Sequence, residues 1–240
     1  MSADRATAPG TWTLPGVSFA LDARRTALLV VDMQLYFVGA GRGVTGAVAR
    51  DVPGSGSYFY DRVDRVVVPA LRRLLDFFRA GRLRVLYTNY ASLEPDGSDL
   101  LPTVRERNAE RLALTGAPSV YPADHPEAGV LSELAPRDGE RVIVKTSASP
   151  FNSTGIDQLL RNWGVTHLLV AGGGTSGCVD LTARDAADRG YRTVLVDDGS
   201  ATWNEANHLS TLRMFAGQFG RVACADELIA ELASSLEGAS

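Results

Sequence analysis

The sequence contains few of the residues that build disulfide frameworks and histidine- or cysteine-based metal centres. Its 240 residues include two cysteines, three histidines and a single lysine. Two cysteines are too few for a disulfide framework, so we expect both to be free thiols in a reducing compartment. The net charge of −4, together with the lack of a basic cluster, argues against binding to nucleic acid.

Long apolar runs are also missing. No stretch approaches the roughly 18 consecutive apolar residues that cross a bilayer, and the N-terminus lacks the pattern of a signal peptide. We therefore expect a cytoplasmic protein that does not bind membranes. The hydrophobic content of 45% is enough to bury the core of a single α/β domain. We expect residues 1–10 to form a disordered tail and residues 11–240 to form that domain.

Short apolar runs alternate with amphipathic segments along the chain. The predicted strands are Ala27–Val31, Leu83–Thr88, Arg141–Val144, His167–Ala171, Arg192–Val196 and a short strand at Val222. The predicted helices are Asp61–Ala80, Val104–Leu114, Ser153–Asn162, Ser176–Arg189, Glu205–Phe219 and Asp226–Leu236. Because unbroken apolar runs are typical of strands covered on both faces, this order indicates a parallel sheet with right-handed crossovers. Met33–Ser57 is rich in glycine and is predicted to be a loop, and Tyr90–Asp138 is the least regular segment.

The stretch His167–Val179 combines an apolar strand, a glycine-rich turn and Cys178, which lies where a helix would begin. A thiol in the first turn of a helix lies near unpaired backbone N–H groups and the positive end of the helix dipole, and both favour the thiolate. The same N–H groups could stabilise an oxyanion. Cys178 is therefore a candidate nucleophile, although a free cysteine is more commonly a small buried hydrophobic residue.

A second interpretation of the same turn is a dinucleotide-binding fingerprint. Gly172, Gly174 and Gly177 match the G-x-G-x-x-G pattern, and Asp197 and Asp198 follow the next apolar run. However, that fingerprint normally lies in the first βαβ unit of a domain, and a bound pyrophosphate would cover the cysteine. An NAD(P)-dependent oxidoreductase is therefore the alternative hypothesis.

Asp32 and Lys145 directly follow or end two other predicted strands. Ligands of open parallel sheets bind beyond the carboxyl ends of the strands, so Asp32, Lys145 and Cys178 are predicted to share one edge. A carboxylate can take the proton of a thiol, and an ammonium can stabilise the resulting anion. Attack of the thiolate on an amide or ureide carbonyl would give an acyl-enzyme that water releases. A turn residue and a solvated lysine are the plain alternatives for Asp32 and Lys145.

Three motifs in this order resemble the isochorismatase-like cysteine hydrolase superfamily. They are DMQ at Asp32–Gln34, VIVK ending at Lys145 and followed by SPF at Ser149–Phe151, and GGGTSGCV ending at Cys178–Val179. The resemblance extends from about Thr26 to Leu236. It implies a single Rossmann-like, three-layer α/β/α domain with about six mostly parallel strands.

The resemblance also assigns roles to individual residues. It implies a catalytic triad of Asp32, Lys145 and Cys178, and a cis peptide bond between Gly173 and Gly174. It further implies an oxyanion hole made by the N–H groups of Gly174 and Cys178. Members of the family hydrolyse nicotinamide, N-carbamoylsarcosine, ureidoacrylate, maleamate or biuret, whereas isochorismatases proper cleave a vinyl ether and lack the cysteine.

Within the family, TSGC at Thr175–Cys178 is most similar to the N-carbamoylsarcosine amidase-like branch. The metal-binding Asp-x-His pair of nicotinamidases is missing, because Asp124 and His125 are adjacent. The resemblance therefore implies an enzyme without metal or other cofactor. Such an enzyme would cleave a carbon–nitrogen bond of a small amide, ureide or lactam through a thioester acyl-enzyme. A non-catalytic relative that binds a ligand is a further alternative.

Residues just after the strands on the same edge are the predicted substrate contacts. They are Gln34, Phe37, Tyr90, Phe151, Asn152 and Trp203. Aromatic walls suit a planar amide or ureide, although aromatic residues in such positions more often belong to the core. Arg42 or Arg107 could pair with a substrate carboxylate. Because family members often assemble, we expect a homo-oligomer, either a dimer or a tetramer, with Ala206–Phe219 as a candidate surface.

Overall fold

The computed structural model describes residues 16–52, 54 and 56–238. Their strands form one sheet: β1 is Thr26–Val31, β2 Arg84–Tyr90, β3 Arg141–Lys145, β4 His167–Gly173, β5 Arg192–Ala201 and β6 Arg221–Ala223. Neighbouring strands are parallel and lie in the order β3-β2-β1-β4-β5-β6. The predicted α/β fold with a parallel sheet of six strands is confirmed. The predicted tail at residues 1–10 lies outside the described residues.

Helices cover both faces of the sheet. Their bounds are α1 Leu35–Val38, α2 Gly43–Asp51, α3 Ser57–Arg62, α4 Val68–Ala80, α5 Pro102–Thr115, α6 Pro150–Ser153, α7 Ile156–Asn162, α8 Asp180–Asp188, α9 Glu205–Gln218 and α10 Ala225–Glu237. π-helical turns at Val63–Val67 and Thr175–Val179 precede α4 and α8, and short 3-10 turns lie at Ala23–Arg25, Pro126–Ala128 and Ser132–Leu134. None of the described helices is long and apolar enough to cross a membrane.

The core has two layers because the side chains of β1 alternate between the faces of the sheet. Leu28 and Val30 pack with α4 and α10 on one face. Ala27, Leu29 and Val31 pack with α7, α8 and α9 on the other face. All of these side chains are fully buried, which explains why the sequence shows an unbroken apolar run here.

The predicted helix Asp61–Ala80 is longer and less regular than expected. It starts at Ser57 as α3 and passes through the π-helical turn into α4. The π-helical turn packs against β5. Arg62, the last residue of α3, reaches β5 and donates hydrogen bonds to the backbone oxygens of Asp197 and Ser200.

β5 extends beyond its predicted end at Val196. The register shifts after Val170 pairs with Leu195, because β5 contains extra residues here, and the two strands resume pairing at Gly172 with Ser200 and at Gly173 with Ala201. Gly172 also pairs with β1 and has a φ of +135°. A Cβ at this position would lie 2.0 Å from the backbone oxygen of Val31. Only glycine therefore allows β4 to stay paired with both neighbours as it reaches the edge of the sheet.

The segment Met33–Ser57 was predicted to be a loop, and this prediction is wrong because the segment contains α1 and α2. Tyr36, Val38 and Ala47 are buried within it. The glycine-rich composition disguises these helices, since they are held by tertiary packing and not by strong helix propensity.

Candidate active site

The site lies at the carboxyl ends of the central strands. Asp32 directly follows β1, Lys145 is the last residue of β3, and Cys178 lies in the π-helical turn after β4. β2 separates β1 from β3, and Lys145 is in register with Tyr90 of β2. The side chains of Asp32 and Lys145 meet across β2, as the parallel topology predicts.

Asp32 and Lys145 form a buried ion pair, with Lys145 Nζ 2.8 Å from Asp32 Oδ2. Asp32 is 2% exposed and Lys145 is 0% exposed, so solvent screens this pair very little. Thr88 Oγ1 donates to Asp32 Oδ1 at 3.3 Å, and Lys145 Nζ donates to the backbone oxygen of Ser147 at 3.2 Å. Burial alone would lower the pKa of Lys145, but Asp32 and Cys178 raise it above its ordinary value. Lys145 is therefore an ammonium at neutral pH.

The backbone of Asp32 supports this arrangement. Its φ is +51°, a left-handed conformation that few residues other than glycine adopt, although aspartate is among the more tolerant of them. Its N–H donates to the backbone oxygen of Thr88 at 2.9 Å, which continues the pairing of β1 with β2. The chain therefore turns sharply at the residue whose carboxylate faces Lys145.

Cys178 is half-buried, and its thiol is close enough to Asp32 and Lys145 for both charges to act on its pKa. Burial is the largest cause that raises the pKa of its thiol, and the charge of Asp32 raises this pKa further. The charge of Lys145 lowers it, and the pKa of the thiol is raised to about 12. The sequence-based expectation of a helix-stabilised thiolate is therefore wrong. The α-helix α8 begins only at Asp180, and Gly177 has non-helical backbone angles. In the resting state the thiol is protonated and held beside a carboxylate.

The glycine turn differs from the arrangement that the family resemblance implied. The described residues contain no cis peptide bond, so the turn between Gly173 and Gly174 is trans. Gly174 instead adopts a φ of +83°. Its N–H donates to the backbone oxygen of Ala201 at 2.9 Å, because β4 and β5 pair up to this point. The proposed oxyanion hole therefore lacks the Gly174 N–H, and the N–H of Cys178 stays the predicted donor.

Aromatic side chains pack on the glycine turn. Phe37 lies against Gly173, where an added Cβ would be 2.7 Å from Phe37 Cε1. The ring of Trp203 lies 6.0 Å from that of Phe37 and 4.7 Å from that of Phe59. Trp203 is 47% exposed, whereas Phe59 is fully buried. Phe37 and Trp203 are thus brought together beside the turn. Phe59, which sequence reasoning missed, supports both.

Tyrosines line the Lys145 side of the site. The Tyr90 ring lies 4.3 Å from Lys145 Nζ, a cation–π contact. Tyr36 donates from its hydroxyl to the backbone oxygen of Tyr90 at 2.9 Å. Burial first, and then the nearby Asp32 and Cys178, hold the pKa of Tyr36 well above its usual range. Tyr36 was not among the predicted site residues, and its position next to Phe37 in the sequence was the only available signal.

Other predicted contacts have different roles. Gln34 is fully buried, and its amide bonds to the backbone of Tyr90 and Ala128, so it joins α1 to β2 and is not available to a substrate. Phe151 is buried in the core beside Tyr191, because α6 turns it away from solvent. Asn152 is exposed on α6, and its role in substrate binding stays a prediction.

The two candidate arginines differ from one another. Arg42 forms an ion pair with Glu127, which removes it as a free partner for a substrate carboxylate. Arg107 is exposed on α5, close enough to Tyr90 that its charge opposes the rise that burial causes in the pKa of Tyr90. Among the described residues, no three side chains of the His, Cys, Asp or Glu types come together in a way that could hold a metal ion.

Comparison with known proteins agrees with this fold. Residues 26–227 match the model of a protein family described as the isochorismatase domain. Maleamate amidohydrolase from Pseudomonas putida is 32% identical over 211 residues, which cover 87% of this chain and 87% of that protein. A cysteine hydrolase from Pseudomonas syringae has a TM-score of 0.74 at 26% identity, covering 93% of this chain and 100% of that structure. N-carbamoylsarcosine amidase from Thermoplasma acidophilum has a TM-score of 0.60 at 25% identity, covering 84% and 97%.

Proposed function

The chain belongs to the isochorismatase family, and from this premise we propose that it is a metal-free cysteine hydrolase of small amides, ureides or lactams. As in its named relatives, the enzyme class is a hydrolase of carbon–nitrogen bonds other than peptide bonds. The observation that carries the finer proposal is the buried contact between Asp32 and Lys145, whose charges both act on the Cys178 thiol. This arrangement supports the action of all three as one catalytic unit.

The protonated thiol determines how the reaction starts. At a pKa of about 12, only about one Cys178 thiol in 10⁵ is ionised at pH 7, so a free thiolate is too rare to be the resting nucleophile. Asp32 instead removes the proton as the sulfur attacks the substrate carbonyl carbon. Lys145 stabilises the negative charge that develops on sulfur as its proton leaves. Formation of the S–C bond moves this charge to the carbonyl oxygen, for which the backbone N–H of Cys178 is the predicted donor.

The second half of the reaction uses the same groups. Collapse of the tetrahedral intermediate breaks the carbon–nitrogen bond, and Asp32 returns its proton to the leaving nitrogen. The acyl group remains on Cys178 as a thioester. Asp32, again a carboxylate, then removes a proton from water as the water oxygen attacks the thioester carbonyl. The acid product leaves, and the thiol is restored.

The proposal is tested by measuring ammonia release across a panel of small primary amides, ureides and cyclic imides. Cys178→Ser should abolish ammonia release. Mass spectrometry of the wild-type protein, quenched in acid and digested, should show an acyl adduct on the peptide containing Cys178. The chain offers a matched control in Cys224→Ser, because Cys224 caps α10 and serine is a good N-cap. Full activity of Cys178→Ser, or an adduct on Cys224 only, would exclude the mechanism.

The dinucleotide-binding alternative has less support. Its fingerprint needs a helix N-terminus that faces the pyrophosphate, but α8 begins after the turn, with the acidic Asp180 as its first residue. The Gly174 N–H is also engaged by Ala201. A rise in melting temperature with NAD(P) would favour this alternative, and we expect none.

We also infer that the chain forms a homo-oligomer. On α9, within the surface that the sequence suggested, Met214 is 54% exposed, so an apolar side chain is available there to a second copy of the chain. Light scattering should give a mass above 25.6 kDa for the wild-type protein. Met214→Glu should shift that mass toward the monomer if α9 forms the contact.

A further inference from the structure

A buried polar chain that the mechanism above does not use ends at the turn carrying Cys178. Thr175, the first residue of that turn, is 0% exposed, and its Oγ1 lies 3.0 Å from His208 Nδ1. The other ring nitrogen of His208, Nε2, lies 2.9 Å from Asp197 Oδ1. A hydroxyl, an imidazole and a carboxylate are thus connected in a row. They come from the turn after β4, from α9 and from β5.

Arg62 completes the chain. It donates to Asp197 Oδ1 at 3.1 Å and to the backbone oxygens of Asp197 and Ser200 at 2.8 and 2.9 Å, so the buried carboxylate has a charged partner. Its Nη2 also lies 2.8 Å from His208 Nε2. The Nε2 atom of His208 either donates to Asp197 or accepts from Arg62, and Nδ1 takes the opposite role toward the Thr175 hydroxyl, which can both donate and accept.

The composition of the turn explains why such a chain is needed. Gly174, Ser176 and Gly177 provide no apolar side chain that could anchor the turn in the core. Thr175 and Val179, at the two ends of the turn, are its fully buried side chains, and Thr175 is the polar one. The neighbouring contacts, from Gly174 N–H to Ala201 O and between the Ser176 and Thr202 hydroxyls at 2.8 Å, reach only the end of β5. Val179 packs in the core at the end of the turn, and the link from Thr175 to His208 ties the start of the turn to α9.

We infer that His208 is a positioning residue, which holds Thr175 and thereby fixes the Cys178 sulfur against Asp32. This inference rests on the proposed function, since it concerns the same thiol. Burying a hydroxyl, an imidazole and an ion pair is costly compared with apolar packing of the same volume. A role in aligning the nucleophile accounts for that cost, because displacement of a reacting group by about 1 Å can slow a reaction about 10²-fold.

The first test removes the hydroxyl. Thr175→Val keeps the shape of the side chain, and it should lower kcat by about 10-fold to 100-fold with KM nearly unchanged, whereas Thr175→Ser should restore most of kcat. Thr193→Val is the matched control, because Thr193 is also fully buried and bonds to Tyr191 O at the opposite end of β5. Equal kcat values for Thr175→Val and Thr193→Val, or no rescue by serine, would overturn the inference.

The second test separates the two ends of the imidazole. Asparagine can replace the Nδ1 contact with Thr175, and glutamine can replace the Nε2 contact with Asp197. At equal melting temperature, His208→Asn should therefore keep more kcat than His208→Gln. The reverse order would mean that Asp197, and not Thr175, is the important partner, and would refute the assignment.

A readout without substrate separates this inference from the proposed function. The rate of Cys178 alkylation by iodoacetamide, with Cys224 as the internal reference, should change in Thr175→Val and not in Thr193→Val. If the wild-type protein hydrolyses no amide and this change is still seen, the positioning role stands and the proposed function fails. If amides are hydrolysed and neither alkylation nor kcat changes in Thr175→Val, only the positioning role fails.

Discussion

Replacement of Asp32 with asparagine should greatly slow amide hydrolysis and yet make Cys178 more reactive toward an alkylating reagent. In the wild-type protein, burial and then the charge of Asp32 raise the pKa of the Cys178 thiol to about 12. Loss of the carboxylate removes the second of these causes. Lys145, which lowers the pKa of Cys178, then faces the sulfur without its counter-ion. Both changes favour the thiolate.

The expected size of the effect follows from ordinary charge–charge shifts. An adjacent charge moves a pKa by about 1 to 3 units. The thiolate of a more acidic thiol is a weaker nucleophile, with a Brønsted coefficient of about 0.5, so about half of the gain in thiolate, on a logarithmic scale, appears in the alkylation rate. Alkylation at pH 7 should therefore accelerate about 3-fold to 30-fold. Amide hydrolysis should fall by about 10²-fold to 10⁴-fold, because the general base is lost.

The assay is timed exposure to iodoacetamide followed by peptide mass spectrometry, with Cys224 of the same molecule as the reference. Asparagine leaves the buried Lys145 without its partner, which costs about 3 to 5 kcal/mol, so rates are compared only where circular dichroism shows a folded variant. Slower alkylation of Cys178 in Asp32→Asn than in the wild-type protein would refute the reasoning, since Asp32 would then be lowering the pKa of the thiol.

Further predictions concern stability and binding. Because the folded-state pKa of Cys178 is raised to about 12, its contribution to stability is complete below the ordinary thiol pKa and is lost as pH rises toward 12. The serine of Cys178→Ser cannot ionise in this pH range. The free energy of unfolding, measured with urea, should therefore fall by about 2 to 3 kcal/mol less in this variant than in the wild-type protein between about pH 9 and pH 11. Gly172→Ala should destabilise the fold by about 3 kcal/mol or more, because the added Cβ would collide with the backbone oxygen of Val31. Gly217→Ala is the control: an added Cβ there would meet no atom within 4 Å, so this substitution should raise the melting temperature slightly. Trp203→Ala should raise KM by up to about 10-fold with a smaller effect on kcat, as expected for a wall that binds substrate and transition state alike; a selective fall in kcat would contradict this.

The central strands could be predicted from sequence because burial on both faces demands unbroken apolar runs, as in β1. The shared edge of Asp32, Lys145 and Cys178 followed from parallel topology alone, since the carboxyl ends of parallel strands lie together. The far end of β5 could not be predicted in this way. Asp197 and Ser200 look like turn residues, but they belong to a buried strand because Ser200 pairs with Gly172 and distant Arg62 donates to the backbone oxygens of both.

Roles that depend on partners remote in sequence were also inaccessible. Gln34 looks like a substrate contact until its bonds to Tyr90 and Ala128 are seen. The Gly174 N–H looks available until β5 reaches it. The pKa of Cys178 was expected to fall because the local pattern shows a helix N-terminus, but burial and a carboxylate from another strand outweigh that local effect.

The chain has one lysine, and that lysine is completely buried, so its positive surface charge is carried by arginine. Reagents that acylate amines therefore find no lysine side chain to modify while the protein is folded. Labelling at Lys145 would report unfolding around the buried ion pair of Lys145 with Asp32. The same scarcity makes surface attachment through lysine a poor choice for this protein, because any bond so formed would trap it in an unfolded state.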